Sequence, residues 1–314
     1  MNQSLAIGID LGGTNTAFGI INADGEILAK GSMPTTGHNS LEEYMLALKG
    51  IISPMMDDFG RERFIGVGIG APSGNYFTSE IDFAPNLPWK GVIPFGRLVG
   101  EALGLKAILT NDAKAAAIGE MKYGAAKGIN SFIMVTLGTG LGSGFMYNGQ
   151  IIYGHDALAG ELGHVIAVRD GRKCNCGLNG CLERYASATG IVITAEMWLD
   201  ERPDQATTLR EHKGSITAKM ITESANAGDT FALELFEYTG KILGQTLASA
   251  VAITSPKAII FFGGLAHAGY LIIDPVRRHM EENLLYVYQN KISLLQSALP
   301  DADAAILGAS ALAW

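Results

Sequence analysis

Charge is scarce in this chain. Asp, Glu, Lys and Arg make up 17% of its 314 residues, against about 25% in typical domains. Hydrophobic residues reach 48%, so the composition excludes a disordered chain. Basic residues are the minority sign, 23 against 31 acidic ones, and the net charge is −8. No Lys/Arg stripe appears, which argues against nucleic-acid binding as the main role. There are only three cysteines, and all lie between Cys174 and Cys181, so they form no disulfide framework. No apolar run approaches the roughly twenty residues a transmembrane helix needs. Met1-Asn2-Gln3-Ser4 does not open the basic-then-apolar pattern of a signal peptide. A soluble cytoplasmic protein is expected. What abounds is glycine, 40 residues, nearly double the usual share of about 7%. The glycines follow no fixed period, which points to tight turns and close backbone approaches.

The apolar pattern predicts a strand over 5–9, a second over 16–21 and a third over 26–30, joined by turns short enough for an antiparallel meander. A helix is predicted over 40–56, with Ser40 as N-cap and Glu43 three residues on. Strands follow at 64–69 and 107–110, a helix lies within 91–103, and a strong helix covers 113–123. The opening then recurs. A strand over 131–137 ends in Gly138-Thr139-Gly140-Leu141-Gly142-Ser143-Gly144, and short strands at 145–147 and 150–153 flank the Asn148-Gly149 turn. A helix over 230–254, a strand over 258–262 and helical character over 266–283 complete the echo. The expected fold class is α/β, with two related domains. One doubly wound sheet with irregular edges is the plainer alternative.

Two glycine turns read as phosphate holders. In Asp10-Leu11-Gly12-Gly13-Thr14, glycine lets backbone N–H groups approach an anion, and Thr14 and Thr16 add hydroxyls. An acidic residue beside phosphate makes sense with Mg²⁺ between them. Gly138-Thr139-Gly140 is the matching turn. Neither is a Walker A loop, and neither opens a helix as a dinucleotide fingerprint does. Ordinary tight turns are the alternative for each. Asn111-Asp112 lies at the carboxyl end of a strand, where ligands collect in α/β folds. Asp112 is either a helix cap or a general base that accepts a proton from an attacking hydroxyl.

Cys174, Cys176 and Cys181 form Cys-x-Cys-x4-Cys, and His164 completes a tetrahedral set for Zn²⁺. Four protein ligands leave no open position, so this zinc is expected to brace a loop rather than catalyse. Glu161 and Glu183 lie beside this motif and Asn86 in the Pro-rigidified loop Ala84-Pro85-Asn86-Leu87-Pro88-Trp89, and their paired hydrogen-bonding groups suit a polyol. Solvated carboxylates and a turn asparagine are the plain alternatives. Glu161 and His164 share a face if their segment is helical.

These motifs together resemble the ROK family of bacterial sugar kinases and repressors, within the sugar kinase/Hsp70/actin superfamily. The resemblance rests on Ile9-Asp10-Leu11-Gly12-Gly13-Thr14, Ala84-Pro85-Asn86-Leu87, Asn111-Asp112-Ala113, the run from Leu137 to Gly144, Gly160-Glu161-Leu162-Gly163-His164, and the cysteine motif ending in Glu183. It implies two actin-like (ribonuclease H-like) domains around a cleft that closes on the sugar. Residues 1–118 would form a small domain, joined by a C-terminal helix over 303–314, and residues 119–302 a larger one with a zinc-binding insertion. The resemblance implies ATP-dependent phosphorylation of a hexose, usually at the 6-hydroxyl and most commonly glucose, as glycolysis requires. Asp112 would be the base. Gly74, Asn75, Asn86, Asn111, Asp112, Glu161, His164 and Glu183 would approach the sugar, His164 serving zinc and sugar through its two ring nitrogens. Asp10 would help place Mg²⁺, Gly12, Gly13, Thr14, Thr16, Gly138, Thr139 and Gly140 would surround the phosphates, and Gly263 and Gly264 would lie near the adenosine. A homodimer is implied. Lys114 departs from the small or amide residue usual in the family. It is expected to point to solvent, or to alter a subunit contact or the charge near the site.

Kinases for N-acetylglucosamine, N-acetylmannosamine, mannose, fructose or allose share these motifs. A non-catalytic sugar-binding or regulatory protein is a further reading, which intact Asp10 and Asp112 oppose. A repressor needs a DNA-binding module, and the first motif already begins by residue 9. A non-sugar ATPase is opposed by the zinc motif and the Asn/Glu cluster.

Overall fold

The computed structural model describes residues 4–314. In chain order the elements are β1 (Leu5–Leu11), β2 (Asn15–Asn22), β3 (Ile27–Pro34), α1 (Leu41–Phe59), β4 (Phe64–Ala71), β5 (Gly74–Asn75), β6 (Glu80–Asp82), β7 (Val92–Ile93), α2 (Phe95–Leu103), β8 (Ala107–Asn111) and α3 (Asp112–Tyr123). Then come β9 (Phe132–Leu137), β10 (Leu141–Tyr147), β11 (Gln150–Ile151), α4 (Glu183–Ala186), α5 (Ala188–Glu201), α6 (Ala218–Asn226), α7 (Thr230–Thr254), β12 (Ala258–Phe262), α8 (Tyr270–Asn283), β13 (Ser293–Gln296) and α9 (Ala304–Ala311). The chain divides into two compact units. One runs to Asn130 and adds Gly144–Ala159 and Ala298–Trp314; the other comprises Ser131–Ser143 and Gly160–Ser297.

Two five-stranded sheets share one plan. The first has the order β3-β2-β1-β4-β8 and the second β11-β10-β9-β12-β13. In the first, β1, β2 and β3 are antiparallel neighbours, while β1, β4 and β8 run parallel. In the second, β10 and β11 are antiparallel, and β12 is parallel to both β9 and β13. The repeated opening in the sequence is therefore a repeated sheet topology, as two related α/β domains require. β1 and β4 are almost wholly buried, which is why they read as continuous apolar runs rather than alternating ones. A third, small antiparallel sheet, β5-β6-β7, belongs to the first unit.

Local signals account for the helices of the first unit. Ser40 accepts the Glu43 N–H at 3.2 Å and caps α1, and the Glu43 carboxylate takes the Asn39 N–H at 2.8 Å. Tyr44, Leu48, Ile52 and Met56 form the buried stripe of α1, and Phe95, Val99 and Leu103 that of α2. In the second unit Asp229 caps α7 by accepting the N–H groups of Phe231 and Ala232. Among the described residues no helix is long and apolar enough to cross a membrane.

Some boundaries differ from the sequence reading. β10 begins at Leu141 rather than 145, so most of the glycine run is strand and only its start is turn. The third strand of that hairpin stops at Ile151. The helical stretch after Gly264 is broken at Gly269, whose φ of +59° separates a single 3₁₀ turn from α8.

The excess glycine has one clear use in the first unit. Helix α9 lies directly on the sheet, with backbone against backbone. A Cβ at Gly68 would overlap the Ala309 carbonyl oxygen, and one at Gly8 would overlap that of Ile306. Substituting Gly68→Ala is expected to destabilise the protein by about 1–3 kcal/mol, read as a lowered midpoint in urea. An unchanged midpoint would show that α9 does not need this approach.

Candidate active site and metal centre

In the first unit, β1 turns into β2 through Leu11–Asn15. The turn is closed by the Gly12 N–H to the Asn15 carbonyl at 3.0 Å and braced by the Thr35 hydroxyl on the Gly12 carbonyl at 2.7 Å. Thr14 is exposed, and Gly12 and Gly13 are half-buried. Gly13 lies against the loop bearing Asn86, since a Cβ there would come within 2.6 Å of the Asn86 carbonyl. The Asn86 side chain is itself exposed. Thr16 behaves otherwise than expected. It is fully buried, and its hydroxyl lies 2.9 Å from that of Thr35 and 2.8 Å from that of Tyr44. It braces the first turn from behind and offers nothing to a phosphate.

β8 runs into α3 at Asn111-Asp112. Asn111, not Asp112, caps the helix, accepting the N–H groups of Ala113 at 3.0 Å and Lys114 at 3.4 Å. Asp112 Oδ1 takes the Ala113 N–H at 2.7 Å. Its side chain stays open to solvent while protein crowds around it. That crowding raises the carboxyl above its ordinary range, against the lowering effects of the Ala113 N–H, the Asn111 amide and the Lys114 ammonium. Asp10, at the end of β1, is pushed up to about 6, first by burial and then by the Asp112 charge. Two carboxylates, one of which raises the proton affinity of the other, form a donor set suited to a hard cation such as Mg²⁺.

Gly74 and Asn75 are both buried. The Asn75 amide is committed to the protein: its oxygen accepts the Phe77 N–H at 3.0 Å, and its nitrogen donates to the Asp156 carbonyl at 3.1 Å. The residue builds its loop and presents no free amide. Lys114 does not point to solvent. It is buried, and its Nζ donates to the Ala157 carbonyl at 2.8 Å.

In the second unit the Gly138–Gly140 turn joins β9 to β10, with the Gly138 N–H on the Gly140 carbonyl at 3.1 Å and Thr139 exposed. Gly263 and Gly264 end β12 beside it, and the Leu265 N–H donates to the Leu137 carbonyl at 3.0 Å. Glu183 opens α4, and its Oε2 accepts the Leu141 N–H at 3.0 Å. Glu161 is exposed and precedes a 3₁₀ turn over Leu162–His164, so the segment is a tight turn rather than an α-helix. Ser143 ties that turn to β10: its hydroxyl donates to the Gly160 carbonyl and accepts the Leu162 N–H at 3.1 Å.

His164, Cys174, Cys176 and Cys181 converge, with their candidate ligand atoms all within 4.8 Å of one another. The His164 Nδ1–Cys174 Sγ and Cys176 Sγ–Cys181 Sγ separations are 3.8 and 3.5 Å. Zn–S bonds of about 2.3 Å at tetrahedral angles place sulfurs about 3.8 Å apart, so the group fits Zn²⁺. Nδ1 is the ring nitrogen turned toward the thiols, which leaves Nε2 for another partner. The knuckle needs Gly180, at φ +84° and pressed on the Val168 carbonyl.

The sequence reading missed Arg172, although it stands two positions before Cys174. Its guanidinium donates to the Arg184 carbonyl at 2.8 Å and to the Thr194 hydroxyl at 2.9 Å, and stacks 4.5 Å from the Tyr185 ring centroid. It anchors the knuckle to α4 and α5 independently of metal. It also missed Ser143 and the Ala188 N–H, which donates to the Gly138 carbonyl at 2.9 Å.

Cys176→Ser is expected to lose the bound zinc, measured by metal analysis of the purified protein; retention of about one zinc per chain would remove Cys176 from the ligand set. For Asp10 the fold holds the proton more tightly than the unfolded chain does, since the folded value of about 6 exceeds 3.8. That contribution to stability is complete below pH 3.8 and is lost as pH rises through 6. Asp10→Asn is therefore expected to raise the melting temperature at pH 7.5 and to change it little at pH 4. Equal shifts at both pH values would contradict this.

The ROK family signature matches residues 6–314. The chain is 34% identical to the glucokinase of Streptomyces coelicolor over 318 residues, covering 99% of this chain and 98% of that protein. It is 30% identical to the N-acetylmannosamine kinase of Escherichia coli O157:H7 over 309 residues, covering 98% and 97%. Its fold superposes on a ROK family glucokinase from Streptomyces griseus, solved with glucose and AMPPNP, with a TM-score of 0.80, 32% identity and coverage of 98% and 99%. The match over nearly the whole chain places this protein in the ROK family.

Proposed function

We propose that this protein is a sugar kinase that transfers the γ-phosphoryl group of ATP to the 6-hydroxyl of a hexose, with glucose as the preferred acceptor. The observation that carries the reading is Asp112, solvent-open at the first position of α3, with its proton affinity raised by the protein around it and a second carboxylate, Asp10, close enough to feel its charge. A general base for an alcohol must reach the hydroxyl, and a carboxyl pKa raised toward the working pH makes it a stronger base. The similarity to glucokinases, including one solved with glucose and an ATP analogue, supports the substrate class.

In this reading Asp112 orients the sugar hydroxyl and accepts its proton as the bond to phosphorus forms. The Asn111 cap and the Ala113 N–H hold Asp112 at the helix start. Asn86, Asn111, Glu161, His164 and Glu183 take sugar hydroxyls. The backbone of Gly12 and Gly13 with Thr14, and of Gly138 and Gly140 with Thr139, faces the phosphates, where N–H donors stabilise the moving charge. Gly263 and Gly264 lie by the adenosine. Bound Mg²⁺, placed by Asp10, would neutralise phosphate charge. Zinc in the Cys/His cluster would hold the turn that bears Glu161 and His164.

N-acetylmannosamine is the second candidate acceptor, on the 30% identity to a kinase for that sugar. ADP release with MgATP across glucose, mannose, fructose, allose, N-acetylglucosamine and N-acetylmannosamine, with a no-sugar control, ranks them. Fastest turnover on N-acetylmannosamine would keep the mechanism and change the acceptor. No turnover on any sugar would overturn the kinase reading. Asp112→Asn is expected to lower kcat by about 10²–10⁴-fold and to leave the sugar Kd from calorimetry within a few-fold of the parent. Full activity in that variant would remove Asp112 from the mechanism.

A further inference from the structure

In the second unit a carboxylate assigned above to the sugar touches the proposed phosphate turn. Glu183 Oε2 accepts the Leu141 N–H at 3.0 Å, at the exit of the Gly138–Gly140 turn. The Ala188 N–H donates to the Gly138 carbonyl at 2.9 Å, at its entry. The stretch that begins at Glu183 therefore grips the turn at both ends. A side-chain carbon at Gly140 would collide with that same Glu183 oxygen. Gly140 is not among the glycines with positive φ, so its backbone conformation does not demand glycine. A Cβ there would instead push the carboxylate off its place against the turn. The Glu161–His164 turn is tied to the same strand, through Ser143 and through Gly163, whose Cβ would overlap the Leu141 carbonyl.

We propose that Glu183 couples sugar binding to nucleotide binding. A carboxylate has two oxygens. Oε2 holds the phosphate turn and Oε1 receives a sugar hydroxyl, so a bound sugar orients the carboxylate and, with it, the Leu141 N–H and the turn. Linkage makes the effect reciprocal: phosphates that order the turn also set Glu183 for the sugar. This rests on the assignment of Gly138–Gly140 to phosphates and Glu183 to sugar made above, and adds the connection between them.

The test is equilibrium binding by calorimetry on zinc-loaded protein, with glucose alone, MgAMPPNP alone, and each in the presence of the other. The proteins are the parent, Gly140→Ala and Glu183→Gln. In the parent, glucose is expected to change the Kd for MgAMPPNP. Gly140→Ala changes a residue of the phosphate turn and presses on the Glu183 carboxylate from there, and it is expected to weaken glucose binding without nucleotide by about tenfold, the cost of a displaced charge-assisted hydrogen bond. In both variants the ratio of MgAMPPNP affinities with and without glucose is expected to fall to one. Zinc content and melting temperature check folding. If Gly140→Ala does not fold, the isosteric Glu183→Gln carries the test. Unchanged glucose affinity in Gly140→Ala together with an unchanged ratio in Glu183→Gln would overturn the coupling while leaving the kinase reading intact. A parent that binds no sugar would overturn both.

Discussion

Contact between backbones, with no side chain in the gap, is the constraint on which this protein is built. Helix α9 rests on β1 and β4 because Gly8 and Gly68 leave room for the carbonyls of Ile306 and Ala309. In the second unit, Gly240 and Gly244 bring α7 onto α8 beside Pro275 and Val276. The same device serves the candidate site. Gly13 admits the Asn86 loop, Gly140 admits a carboxylate, and Gly163 admits the backbone of Leu141. Each such approach places main-chain donors and acceptors at a surface where a side chain would otherwise stand. A site for phosphates and sugar hydroxyls needs that density of fixed polar groups.

A second constraint is electrostatic. Asp10 and Asp112 are close enough for the charge of one to raise the pKa of the other. That arrangement lowers stability at neutral pH, because both groups would rather hold protons than share charge. In the proposed mechanism a bound cation and the attacking hydroxyl would make use of it. Lys114, buried on the same helix turn, offsets part of the repulsion and lowers the Asp112 carboxyl. Lys114 thus places a cation beside an anion pair and ties α3 to the Ala157 carbonyl.

Much of this was readable in the residues. The Cys/His cluster was legible because metal ligation is specified by side-chain type and only a few residues could supply it. The paired hairpin openings were legible because short turns leave composition marks. The Asn111-Asp112 junction was also legible, but not the division of labour within it, since either residue can cap a helix. Thr16 misled because a hydroxyl near a glycine turn looks the same whether it faces a phosphate or Tyr44. The sheet of β5, β6 and β7 left no trace, as strands of two or three residues carry no periodicity. Glu183 was found, but its grip on Leu141 was not: its partner is a backbone N–H, which no residue type announces.

The first unit is assembled from three separate stretches, and its third, Ala298–Trp314, carries α9. That helix covers the first strand, β1, which leaves the ribosome some three hundred residues earlier. The second unit has all its stretches by Ser297. During synthesis the second unit can therefore close while the first still lacks the helix over its central strands. Throughout that interval the face of β1 and β4 with its glycine floor stands uncovered. The order in which the two units become complete thus runs against the order in which they begin.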